Sequence, residues 1–191
     1  MPTTLFLDRD GVINRRLPGA YVADSKDFHF LPGVLAVMPQ LAQLFHPIIV
    51  ITNQQGIGKG LMSQADLDRI HSSMIQEVNQ AGGRIDGIYT CPHLKTVNCS
   101  CRKPRPGLIE QALQDFPSID LSKAILAGDS LSDLQLGAAL GIPTIWIQTK
   151  EEERLLIEDW ENTQDGFYLS ARMKGLAELP QWWLNQTKPT I

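Results

Sequence analysis

Short, unbroken apolar runs recur along this chain, and most are followed by a longer segment with apolar residues at helical spacing. Leu5-Phe6-Leu7, Ile48-Ile49-Val50-Ile51, Ile88-Tyr89, Ala124-Ile125-Leu126-Ala127 and Thr144-Ile145-Trp146-Ile147 are the runs. A strand with one wet face alternates apolar with polar residues, whereas a continuous run suits a strand covered on both faces. Between the runs, Val34, Val37, Met38, Leu41, Leu44 and Phe45 mark one helical stripe. Leu67, Ile70, Met74, Ile75 and Val78 mark another over 63–80, with Ser63 and Asp66 spaced as a helix-start signal. Further helices are predicted over 106–115, over 131–140 before Gly141, and over 173–184. The alternation predicts an α/β fold, a Rossmann-like, doubly wound parallel sheet with helices on both faces. Chemistry is then expected at the carboxyl ends of the strands.

Composition narrows the classes. A length of 191 residues with 43% apolar content supports a single domain over 1–191, without repeats or low-complexity linkers. The net charge of −4 argues against nucleic acid as a partner, since a phosphate backbone calls for a basic face. No apolar run reaches the length of a membrane span, and Met-Pro-Thr-Thr lacks the layout of a secretion signal. The three cysteines, an odd number, fit no disulfide framework. A cytoplasmic monomer without membrane contact is expected.

Four strand ends carry chemistry. Asp8 and Asp10 follow the first run; in extended backbone both point to one side, and Gly11 permits a sharp turn. One carboxylate can attack while the other handles a proton, and together they can bind a divalent cation; an ordinary acidic turn is the plain alternative. Thr52-Asn53 ends the second run, offering a hydroxyl and backbone N–H groups to phosphate oxygens, or simply an Asn turn. Arg102-Lys103-Pro104 precedes the helix that Pro106 begins. It presents either a cationic grip on a phosphoryl group or a solvated basic pair. Asp129 follows the fourth run, and Asp133 either supports it or serves the next helix start. Cys91-Pro92-His93 and Cys99-Ser100-Cys101 supply a closed Cys3His set, the composition of a structural zinc site within the 91–101 loop. Free thiols are the alternative.

Asp8-x-Asp10, Thr52, Lys103 and Asp129-x-x-x-Asp133, in this order, resemble the four motifs of the haloacid dehalogenase superfamily. The resemblance implies Mg²⁺-dependent hydrolysis of a phosphate monoester through an aspartyl-phosphate. Asp8 would be the nucleophile and Asp10 the proton donor and acceptor. Asp8, the Asp10 carbonyl and Asp129 would hold Mg²⁺, with Asp133 behind them. Thr52 and Lys103 would hold the phosphoryl oxygens, and no large cap domain is expected.

Within the superfamily, Asp8 to Asn14, Thr52 to Gly60, Cys91-Pro92-His93 and Cys101 to Gly107 resemble the heptose-bisphosphate phosphatase branch. By that likeness a small phosphorylated sugar is the substrate, losing its 7-phosphate. Arg16, Gly19, Asn53, Gln54, Gln55 and Arg102 would contact it. The five residues between His93 and Cys99 resemble histidinol-phosphate phosphatases, which are the alternative. Rivals from other classes are a phosphoacceptor signalling domain, a zinc-stabilised binding module and a polynucleotide 3′-phosphatase. Asp10 beside the nucleophile disfavours the first, intact motifs the second, and the acidic balance the third. His29, His46, His71 and the Trp182-Trp183 pair are read as surface or packing residues.

Overall fold

The computed structural model describes residues 3–163 and 169–187. Six parallel strands form one sheet: β1 (Thr3–Leu7), β2 (Phe45–Asn53), β3 (Gly87–Cys91), β4 (Ala124–Gly128), β5 (Thr144–Ile147) and β6 (Ala171–Met173). Their spatial order is β3-β2-β1-β4-β5-β6, each neighbour parallel to the next. The chain winds outward from β1 in one direction, then returns to its other side and winds out again. The carboxyl ends of β1 and β4 therefore diverge at a topological switch point, where crossovers leave a crevice open.

Helices cover both faces of the sheet, and the continuous apolar runs follow from this. On one face Leu5, Leu7, Ile48, Val50, Ile125 and Ile145 pack against α1 (Val34–Leu44), α2 (Gln64–Gln80) and α6 (Leu179–Gln186). On the other, Phe6, Ile49, Ile51 and Leu126 meet α3 (Gly107–Asp115) and α4 (Leu131–Leu140). Successive strand residues alternate between the two helical layers, so neither half of the pattern can be polar. Ser63 and Asp66 form a reciprocal capping box at the start of α2. Gly141, at φ +64°, closes α4 in the left-handed conformation.

Two expectations need correction. Residues 173–184 do not form one helix: Ala171–Met173 add the edge strand β6, a 3-10 turn covers Leu176–Glu178, and α6 begins only at Leu179. Pro180 sits in the first turn of α6, where its missing N–H costs nothing, and cannot lie deeper in a helix starting at 173. An unforeseen helix, α5 (Arg154–Asn162), buries Ile157 against Trp146 and Leu134. Trp183 meets Phe45 in a tilted ring contact and, with Trp182, packs against the core, as the sequence suggested. No helix among the described residues is long and apolar enough to cross a membrane.

Candidate active site

At the end of β1 the backbone turns within three residues. The Arg9 carbonyl accepts from the N–H groups of Val12, Ile13 and Asn14, and Gly11 N–H donates to Asn14 O at 2.7 Å. Gly11 adopts φ +96°, and a Cβ there would lie 2.0 Å from Asp129 Oδ2. The turn thus brings its own backbone directly against the acid of β4, beside Asp8, a packing only glycine permits. Thr149 Oγ1 fastens it by donating to Gly11 O at 2.6 Å.

Asp8, Asp129 and Asp133 are buried together, with ligand-capable oxygens all within 4.8 Å of one another. Lys103, 4% exposed, reaches in from the loop after the thiol cluster. Its Nζ lies 2.7 Å from Asp8 Oδ1, 2.6 Å from Asp133 Oδ1 and donates to Ile51 O at 2.9 Å. Ser130 N–H and Oγ hold the other Asp133 oxygen at 3.1 and 2.6 Å. One lysine does not offset three buried carboxylates. Burial, with the charge of Asp133 and Asp10, pushes Asp8 up to about 6 against the pull of Lys103. Burial and the charges of Asp8 and Asp133 push Asp129 to about 8, while Lys150 and Arg16 oppose them. Burial favours a neutral Lys103, but Asp133 and Asp8 outweigh it and keep the ammonium charged. This uncompensated all-oxygen donor set is the kind of environment that hard divalent cations occupy.

Asp10 sits apart from that triad. Arg9 Nη2 donates to both its oxygens at 2.9 Å, Asn14 Nδ2 donates to Oδ1 at 2.9 Å, and Gln54 Nε2 to Oδ2 at 2.6 Å. Burial alone would raise its pKa; the Arg9 charge and these donors win and hold it below the ordinary carboxylate value. Gln54 Nε2 also lies 3.0 Å from Thr52 Oγ1, so it links the ends of β1 and β2.

These groups open into a cavity of about 720 Å³. Asp8, Asp10, Thr52, Lys103 and Asp129, together with Arg16, Gly19, Asn53, Gln54, Gln55 and Arg102, line it, while Asp133 lies behind the wall. Their side chains are not equally free. Asn53 is tied to the Lys103 backbone in both directions, at 3.1 and 3.3 Å, so it positions the lysine loop. Gln55 donates to Tyr21 Oη at 2.8 Å. Arg16 bridges Asp129, at 3.8 Å, and Glu152, at 2.8 Å. Cations and a phenol not assigned a role from the motifs also line the wall, among them Tyr21, Lys59, Lys95 and Lys150. Lys150 pairs with Glu153, whose other oxygen accepts from Leu131 N–H at 2.8 Å.

Beside the cavity, the Sγ atoms of Cys91, Cys99 and Cys101 and Nδ1 of His93 come together. Cys99 Sγ is 3.5 Å from both other thiols, and His93 Nδ1 is 3.2 and 3.7 Å from Cys101 and Cys91. A tetrahedral zinc with Zn–S bonds near 2.3 Å has ligand–ligand edges of about 3.5–3.8 Å, so the set fits that ion. Arg102 and Lys103 continue directly from Cys101, which couples the loop to the lysine's position.

The HAD-hydrolase-like family model matches residues 100–170. D-glycero-alpha-D-manno-heptose-1,7-bisphosphate 7-phosphatase of Mycobacterium tuberculosis (strain H37Rv) is 46% identical over 132 residues, covering 69% of this chain and 70% of that protein. The chain belongs to the haloacid dehalogenase-like phosphatases. D-glycero-beta-D-manno-heptose-1,7-bisphosphate 7-phosphatase of Escherichia coli K12 is 32% identical over 193 residues, covering 97% and 95% of the two chains. The crystal structure of the D,D-heptose 1,7-bisphosphate phosphatase of B. bronchiseptica, complexed with magnesium and phosphate, matches with TM-score 0.83 at 32% identity over 97% and 99% of the two chains. In this chain carboxylates and a lysine converge at the carboxyl edge of the sheet. Here the sheet's switch point supplies that convergence.

Motif spacing does not reveal Arg9 and His71. Arg9 is fully buried, and its Nη1 meets His71 Nε2 on α2 at 3.1 Å. The sequence leaves His71 as a surface or packing residue, but its place beside Ile70 and Met74 on the buried stripe is a usable signal: a buried histidine requires a polar partner.

Proposed function

We propose that this phosphatase removes the 7-phosphate of D-glycero-D-manno-heptose 1,7-bisphosphate, with preference for the α anomer. The observation that carries the chemistry is the Asp8 carboxylate, held by Lys103 among Asp129 and Asp133 at the floor of a cationic cavity. The substrate follows from relatives: those named for the α-heptose bisphosphate are 46% identical, and those named for the β anomer 32–37%. Arg16, Lys59, Lys95, Arg102 and Lys150 around the cavity suit a sugar bearing two phosphates.

Asp8 attacks phosphorus in line with the sugar oxygen. The bond to that oxygen breaks as Asp10 delivers a proton, leaving a phosphoryl group on Asp8. Asp10, again a carboxylate, then takes a proton from water as its oxygen attacks phosphorus. Inorganic phosphate leaves and Asp8 is restored. In the resting site Arg9 keeps Asp10 ionised; the incoming dianion raises its proton affinity. Lys103 and the Thr52 hydroxyl hold the phosphoryl oxygens. Asp8, Asp129 and the Asp10 carbonyl, with Asp133 behind, would hold Mg²⁺, which offsets the repulsion between a dianionic phosphate and the carboxylates. Cys91, His93, Cys99 and Cys101 would hold a structural Zn²⁺ that fixes the path into Arg102 and Lys103. Gly19, Asn53, Gln54 and Gln55 shape the wall against the substrate.

The test is phosphate release with Mg²⁺ from the α and β heptose bisphosphates and from histidinol phosphate, compared as kcat/KM. The α heptose should lead. Preference for histidinol phosphate overturns the substrate, and release from none overturns the reading as a heptose-bisphosphate phosphatase.

A further inference from the structure

Arginine is always charged in proteins, and burying one is costly unless its charge is met; in Arg9 the two terminal nitrogens find partners while Nε has none among the described residues. Arg9 is 0% exposed and lies between the two motif acids. Its guanidinium spans two elements: Nη2 grips both oxygens of Asp10 at 2.9 Å, while Nη1 donates to His71 Nε2 at 3.1 Å. Arginine cannot accept a hydrogen bond, so His71 Nε2 must carry the lone pair and the imidazole must be neutral, protonated on Nδ1. Burial, then the Arg9 charge, keeps His71 neutral, against the weaker opposite pulls of Asp10 and Asp68. His71 itself rides on α2, a helix capped at Ser63 and packed through Leu67, Ile70, Met74 and Val78.

We propose that Arg9 and His71 are positioning residues for Asp10, transmitting the rigidity of α2 to the carboxylate that handles the proton. A carboxylate at the cavity wall, 25% exposed at its side chain, would otherwise sample several rotamers. Nη2 shared between its two oxygens, with Asn14 on Oδ1 and Gln54 on Oδ2, favours the orientation seen here. Proton transfer is sensitive to that orientation, because donor and acceptor must come within hydrogen-bond reach. The inference rests on the proposed role of Asp10.

The test compares leaving groups in the Mg²⁺-loaded enzyme, in the first turnover. The sugar oxygen of heptose 1,7-bisphosphate needs a proton as it departs; p-nitrophenolate, from p-nitrophenyl phosphate, does not. His71→Leu, which keeps bulk but removes the acceptor, should slow sugar release about 10-fold and nitrophenolate release less than about twofold. His71→Gln, which offers an acceptor again, should recover most of the loss. Equal slowing of both probes, or no recovery with glutamine, overturns the proposal. Asp10→Asn separates the two claims: it should show the same split, larger. If Asp10→Asn slows both probes equally, the role of Asp10 fails. A measurement on the unaltered protein stands independently of variant folding. The ¹⁵N imidazole spectrum of His71 at pH 6 should show a neutral ring with Nε2 accepting; a charged ring, or the opposite tautomer, refutes the pairing.

Discussion

Gly11→Ala probes how the turn after β1 builds the metal-facing acids. At φ +96° an alanine is strained by about 1–2 kcal/mol. For a chain this long that corresponds to a Tm loss of roughly 2–8 °C. The second consequence is local. The new methyl would lie 2.0 Å from Asp129 Oδ2 and 2.6 Å from its Cγ, where ordinary contact begins at 3.4 Å. Asp129 must therefore retreat by more than an ångström, and Thr149, which holds Gly11 O at 2.6 Å, resists movement from the other side. Displacement on that scale at a reacting site costs about 100-fold in rate. Gly141→Ala is the control: its φ is +64°, but nothing lies within 4 Å of the added Cβ. Gly141→Ala should melt earlier by the backbone strain alone, and Gly11→Ala by at least that much. Only Gly11→Ala should lose about 100-fold in kcat and require more Mg²⁺ for half-maximal rate. If Gly11→Ala keeps its kcat and its Mg²⁺ dependence, the close apposition of turn and carboxylate does not matter to catalysis.

Cys99→Ala should abolish stoichiometric zinc, measured by elemental analysis, and lower activity without eliminating it, since the thiol loop positions Lys103 but does not react. Retention of one zinc per chain would show that Cys99 is no ligand. His71 has its pKa lowered to about 4 by burial and by Arg9. The folded state then binds fewer protons than the unfolded state, so this group's contribution to stability is lost as pH falls from 6.5 toward 4. The loss is up to about 3 kcal/mol. Urea melts at pH 7 and pH 4.5 should show that slope flattened in His71→Gln; an unchanged slope contradicts it. Lys103→Met leaves Asp8 and Asp133 without their shared cation, and should destabilise the fold by about 3–5 kcal/mol while removing turnover. A variant as stable as the parent would mean the ion pairs contribute little.

The strands most visible in the sequence are those buried on both faces, because only they produce runs such as Ile48 to Ile51. The edge strand β6 has three residues, one of them the exposed Arg172, and so leaves no run to see. The acidic stretch Glu151–Glu153 follows no strand end and carries no motif spacing, yet Glu152 and Glu153 engage the cavity cations Arg16 and Lys150. The motif acids, Thr52 and Lys103 were legible because each directly follows a strand or the thiol loop, where spacing along the chain stands in for position in space. The Arg9–His71 contact joins residues 62 apart on different elements and has no spacing signature. Only the requirement that a buried guanidinium find acceptors points toward it. Likewise, Asn53 and Gln54 could be assigned to the cavity from their place after β2. That their amides hold Lys103 and Asp10 depends on side-chain geometry that a linear pattern does not carry.

The central claim is that Asp8 becomes phosphorylated. The most direct measurement quenches the Mg²⁺-loaded enzyme in acid during turnover, reduces acyl phosphates with borohydride, and locates the product by peptide mass spectrometry. The account predicts homoserine at position 8 and at no other acid, and none in Asp8→Asn. Full turnover with position 8 unlabelled, or label on Asp10 or Asp129 instead, would contradict it.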